Sequence, residues 1–153
     1  MKHLFWLISL LLIGQATVAQ KYKSKKKVPF QGICGNVLWK AGNLMPSPDA
    51  PSPQAKGIAR TLFVYQLSNQ NQATVTEDNF YKDLKTKLVA KVKSDKFGKF
   101  CVNLPKGWYS VFSQEPKGLY ANGFDGEMNI FPVEVKAKTQ TNVNFEISYM
   151  ATF

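Results

Sequence analysis

The sequence predicts an all-β domain folded as a two-layer sandwich, on three observations. Apolar and polar residues alternate with period two through most of the chain after Val28. Gly, Pro, Asn and Asp break that alternation at short intervals, as turns between strands do. No long stretch repeats its apolar residues every ~3.6 positions, as an amphipathic helix would. At 153 residues the chain is long enough for one core and short for two.

Residues 1–19 read as a secretory signal peptide, with Lys2 at the start, an apolar run over residues 4–13, and Thr17 and Ala19 before the cut. The run falls short of the ~20 apolar residues that span a bilayer, so no transmembrane anchor is expected and the protein is placed outside the cytoplasm, secreted or periplasmic. No cysteine follows the leader directly, which argues against a lipid anchor. Cleavage also removes His3, the single histidine.

Residues 20–27 form a basic arm. Lys21, Lys23, Lys25, Lys26 and Lys27 carry half of the net charge of +10 and have no acidic neighbour, so the arm is expected to be disordered. It reads either as an electrostatic tether to an anionic surface or as a solubilising linker. The chain is exported and has no groove-reading motif, so nucleic acid is not an expected partner.

Residues 28–153 are the folded domain, with seven strands. The first covers residues 32–39 and closes on the turn Ala41-Gly42-Asn43. Pro46, Pro48, Pro51 and Pro53 then mark an irregular surface loop, because each lacks a backbone donor. The second strand, residues 60–67, is apolar on both faces (Leu62 and Val64, Phe63 and Tyr65) and so belongs in a sheet centre. Residues 69–83 are polar and read as a long loop, with a helical turn around 78–84.

The third strand, residues 85–93, sets Leu88, Ala90 and Val92 against a wet face of Lys85, Lys87, Lys91 and Lys93. A turn at residues 94–98 leads into the fourth, where Phe100, Val102 and Leu104 alternate with Lys99, Cys101 and Asn103. Pro105-Lys106-Gly107 turns the chain into the fifth strand, residues 108–114. After a glycine-rich connection over 116–126 come a sixth strand at 130–135 and a seventh at 142–149. In the last, Val143, Phe145, Ile147 and Tyr149 face one way and Asn142, Asn144, Glu146 and Ser148 the other. A single open sheet would leave too many of these apolar faces bare, which favours two packed sheets.

Three stretches taken together carry a family resemblance: Gly35-Asn36-Val37, Ser94-Asp95-Lys96-Phe97-Gly98-Lys99-Phe100, and Leu104-Pro105-Lys106-Gly107-Trp108-Tyr109-Ser110-Val111. In this order the chain, over about residues 30–149, resembles the carboxypeptidase regulatory-like domains, of the kind found in small exported proteins of Bacteroidota. The resemblance implies a seven-stranded transthyretin-like (prealbumin-like) sandwich and an accessory or binding role, with no catalysis of its own. The related transthyretin-like hydrolase of 5-hydroxyisourate depends on histidines and a C-terminal tail that Met150-Ala151-Thr152-Phe153 does not match. Zinc carboxypeptidases likewise need histidine ligands, which the mature chain lacks.

Cys34 and Cys101 sit on the first and fourth strands of an exported chain, so a disulfide is the expectation and two free thiols the alternative. There is no Cys-x-x-Cys redox motif. Asp125, Glu127 and Asn129 offer oxygens at alternate positions, a spacing calcium could use. They fall short of the roughly six to eight oxygens calcium takes, and a solvated turn explains the same residues. Trp108 and Phe112, on the face opposite Tyr109 and Val111, and Tyr120 and Phe124 in the next loop, are candidate aromatics for stacking on a ligand, unless the proline-rich loop covers them.

No catalytic residue, resident metal or cofactor is assigned. The expected function is a non-enzymatic binding or accessory module at the cell envelope, its partner an envelope protein or glycan. An extracellular carbohydrate-binding module is the alternative, and a hydrolase a distant third.

Overall fold

The computed structural model describes residues 30–45 and 54–153. The leader, the lysine arm and the proline-rich stretch lie outside the described residues. What is described is an all-β sandwich of a four-stranded and a seven-stranded sheet, built from eleven strands. Seven of them match the expected set: β1 (Gly32–Asn43), β3 (Thr61–Gln66), β6 (Leu88–Lys93), β7 (Lys99–Asn103), β8 (Gly107–Glu115), β10 (Pro132–Val135) and β11 (Gln140–Thr152). Four short ones are added: β2 (Lys56–Gly57), β4 (Thr74–Val75), β5 (Phe80–Lys82) and β9 (Gly118–Tyr120).

The smaller sheet is organised on β1. Along one side β1 runs parallel to β11, and along the other it pairs antiparallel with β7 over Gly32–Asn36 and with β2 at Leu38 and Trp39. The expected turn at Ala41-Gly42-Asn43 is strand instead. These residues pair with Met150, Ala151 and Thr152, because β11 is long enough to supply backbone partners that override their turn preference. The register slips between Trp39 and Ala41, so that Ser148 and Tyr149 together oppose Lys40. The bulge turns Ser148 inward against expectation: it is 9% exposed and bonded to Tyr120 and Asn122. Gly35 is required where β1 and β11 come closest, since a Cβ there would lie 1.8 Å from the Val143 carbonyl oxygen.

In the larger sheet β8 is central. β3 lies on one side and carries β6 beyond it; β10 and β9 share the other side, with β5 and β4 beyond β9. The hairpin joining β6 to β7 passes the chain between sheets. Its turn is held by Asp95, whose Oδ1 accepts from the Phe97 and Lys99 amides at 2.8 and 2.9 Å, and by Gly98 at φ +83°, a conformation that suits glycine.

Both sheets contribute to one core, with Ile33 and Val37 from β1, Leu62 and Val64 from β3, Tyr109 and Val111 from β8, Val133 and Val135 from β10, and Phe145 and Ile147 from β11. Each such side chain contributes about 2 kcal/mol of burial. Cys34 and Cys101 are directly opposed in the β1–β7 pairing and are joined as a disulfide, S–S 2.08 Å. The bridge ties the first strand of the domain to a strand 67 residues later.

Residues 69–83 are more ordered than a loop. They hold 3₁₀ turns at Gln70–Gln72 and Glu77–Asn79 with β4 and β5 between and after, so the helical turn expected at 78–84 is present only at its start, as the 3₁₀ turn ending at Asn79, and gives way to strand at Phe80–Lys82. β5 forms because β9 offers it an edge, through Phe80 opposite Tyr120 and Tyr81 opposite Leu119. β4 and β5 extend the larger sheet, and Tyr81 from this segment joins Phe112, Ala121 and Ile130 in a second apolar cluster.

Candidate functional site: a basic aromatic groove at the end of the larger sheet

The alternation along β8 decides what each aromatic can do. Tyr109 and Val111 point into the main core, so Trp108, Ser110 and Phe112 take the outer face. Phe112 is nevertheless 0% exposed. Tyr65 and Tyr81 pack edge-on against its ring at 5.6 and 5.5 Å, so an outward position is not a surface position here. Tyr120 is 1% exposed and packs against Phe80 and Tyr149, each at 5.3 Å. Both residues are therefore removed from the expected stacking set. Phe112 is covered by Tyr81, Ala121 and Ile130, and Tyr120 belongs to the main core beside Tyr149 of β11, whereas the proline-rich loop that was expected to cover them lies outside the described residues. Trp108 and Phe124 do reach solvent, at 52% and 54% exposure.

Trp108 borders a groove of about 420 Å³ lined also by Gln66, Lys87, Leu88, Val89, Pro105 and Lys106. Its walls are strand ends. The Leu67 amide donates to the Trp108 carbonyl at 3.2 Å, and the Gln66 amide to the Lys87 carbonyl at 3.0 Å. The Tyr109 hydroxyl donates to the Pro105 carbonyl at 2.9 Å and fixes the turn that carries Lys106. Burial pushes the Tyr109 phenol above its ordinary pKa, so it stays a neutral donor. The lining contains two lysines and no acid. Glu134, opposite Trp108 in the β8–β10 register, is paired with Lys136 at 3.5 Å.

Phe124 stands in a shallower recess of about 280 Å³ with Asn122, Gly123, Asp125, Phe131 and Pro132. Beside it the calcium candidates resolve into a turn. Asp125 Oδ1 accepts from the Glu127 and Asn129 amides, each at 2.9 Å, and Oδ2 from the Asn129 side-chain amide at 3.0 Å. These bonds, that from the Asn129 side chain foremost, hold the Asp125 carboxyl below the usual carboxylate range. The three N–H donors on Asp125 are those of a solvated turn, the other reading of these residues.

One buried acid went unremarked in the sequence. Glu115 continues the inward parity of Tyr109 and Val111, and its side chain is 0% exposed. Arg60 Nε donates to both of its oxygens, at 3.0 and 3.2 Å, and the Tyr149 hydroxyl donates to Oε2 at 3.0 Å. Arg60 also sits over the Trp39 ring at 5.8 Å. Burial, and then the bond to Glu115, raises the Tyr149 pKa. With both oxygens engaged and no exposure, this carboxylate ties the residue preceding β3 to β8 and β11 and is closed to solvent.

Among the described residues no helix is long and apolar enough to cross a membrane. No family model, no curated protein and no solved structure matches the chain.

Proposed function

We propose that the chain is a non-enzymatic carboxypeptidase regulatory-like domain, secreted or periplasmic, that acts as a binding or accessory module at the cell envelope. The sequence of its leader and the ordered run of turn-and-strand motifs support this reading, and a disulfide suits an oxidising compartment. The lysine arm would add electrostatic attraction to an anionic surface.

The observation that carries the proposal is the exposed Trp108 in a groove whose walls are held by backbone hydrogen bonds. Rigid strand ends present a large ring at little entropic cost, which is what a docking site needs and a core residue does not. The same ring favours the second reading, an extracellular carbohydrate-binding module, because an exposed indole offers a flat apolar face to a sugar.

A glycan array and an affinity capture from envelope extract, each run with the mature protein and with Trp108→Ala, test the proposal. Capture of a defined glycan or protein that falls at least tenfold in Trp108→Ala is expected. Capture that is indifferent to the substitution would place the binding surface elsewhere.

A further inference from the structure

We infer that the Trp108 groove is built for an acidic saccharide chain, pyranose rings bearing carboxylate groups. The inference rests on the reading of this groove as the docking surface and goes on to its ligand chemistry.

An exposed indole by itself is ambiguous. Its face attracts cations as well as the C–H face of a sugar ring. Charge settles the choice. Lys87 and Lys106 both line the groove, both are exposed, and neither has an ion-pair partner among the described residues. Two ammonium groups beside the ring repel a cationic ligand and favour an anionic one. Glu134, opposite Trp108 in register, is paired with Lys136 at 3.5 Å, and the pair together adds no net negative charge beside the groove.

The rest of the lining fits a saccharide. Gln66 supplies an amide that both donates to and accepts from hydroxyl groups, and Val89, at 37% exposure, and Leu88 extend the apolar floor. At about 420 Å³ the space lies within the ~300–1,000 Å³ of ordinary ligand sites. Charge-assisted bonds from the lysines would be about twice as strong as neutral ones, so the acid groups should set affinity while the indole sets orientation.

The test is calorimetric titration of the mature protein with three polymers of matched length: polygalacturonate, its fully methyl-esterified form, and polyglutamate. Polygalacturonate should bind, and binding should weaken at least tenfold on esterification, in Trp108→Ala, and in the double variant Lys87→Gln/Lys106→Gln. Trp108→Phe should recover part of the loss. Polyglutamate should bind more weakly and be indifferent to Trp108→Ala. The lysine arm is present in every protein compared, so these differences report the groove.

If the esterified chain binds as tightly and still needs Trp108, the groove remains the docking surface but the acidic preference is wrong. If polyglutamate depends on Trp108 as strongly as polygalacturonate does, the ligand is an acidic peptide and the inference fails. If no polymer responds to Trp108→Ala, the docking surface itself is misplaced. Trp108 is half exposed, so the variant is expected to fold, and an unchanged melting temperature checks this.

Discussion

Glu115 shows how much a single parity can hide. An acid two positions along the chain from a run of core residues looks like a strand end, yet it is the buried partner of Arg60 and Tyr149. Removing one partner of such a group strands a charge, which costs more than the intact pair contributes. Arg60→Met should lower unfolding free energy by about 2–3 kcal/mol in urea denaturation, below the roughly 3–5 kcal/mol of a fully buried pair because the Arg60 side chain is 33% exposed.

The perturbed groups also set the pH profile. Tyr65, Tyr81, Tyr109 and Tyr149 are all raised, chiefly by burial. An acid whose folded pKa is raised holds its proton longer when folded, so stability should be level through neutral pH and fall as pH climbs past the ordinary tyrosine value of about 10. Asp125 is lowered, so its contribution is present above the ordinary carboxylate value and lost only as pH falls below about 4. Urea midpoints measured across pH should show a plateau between these limits; a step between about pH 5 and 8 would contradict the assignment.

Among the elements, alternation was readable wherever one face is wet. β6 keeps Leu88, Ala90 and Val92 half-buried and Lys91 and Lys93 exposed, as their spacing predicts. β3 lies between β6 and β8, as its two apolar faces predict. β4, β5 and β9 were not readable, because two or three residues in a polar or glycine-rich stretch carry no period, and only an offered edge makes them strands. The same limit explains Phe112. Its face was legible, but whether that face meets water depends on a covering segment some thirty positions earlier in the chain. Likewise Trp108 was picked out, while Gln66 and Lys87 come beside it only through the β3–β6–β8 order. The parallel seam between β1 and β11 depends on the missing side chain at Gly35. Gly35→Ala should force the strands apart and cost at least about 2 kcal/mol, with a matching drop in melting temperature; an unchanged melting point would show that the seam is looser than described.

At the scale of the whole molecule, the two sheets differ in what they present. The smaller sheet turns a polar face outward, where Asn36 donates to Asn144 at 3.3 Å and Lys40 pairs with Glu146 at 2.7 Å. The larger one covers its outer face with chain, leaving Trp108 at one end among lysines. A molecule of this kind has its rigidity in the sandwich, the disulfide and the Arg60–Glu115–Tyr149 tie, and its chemistry at a strand end. The most direct test is backbone NMR of the mature protein titrated with a short oligogalacturonate. Shifts confined to Gln66, Lys87, Leu88, Val89, Lys106 and Trp108, and abolished in Trp108→Ala, are the predicted result; shifts centred on Asn36 and Asn144, or on the Phe124 recess, would contradict it.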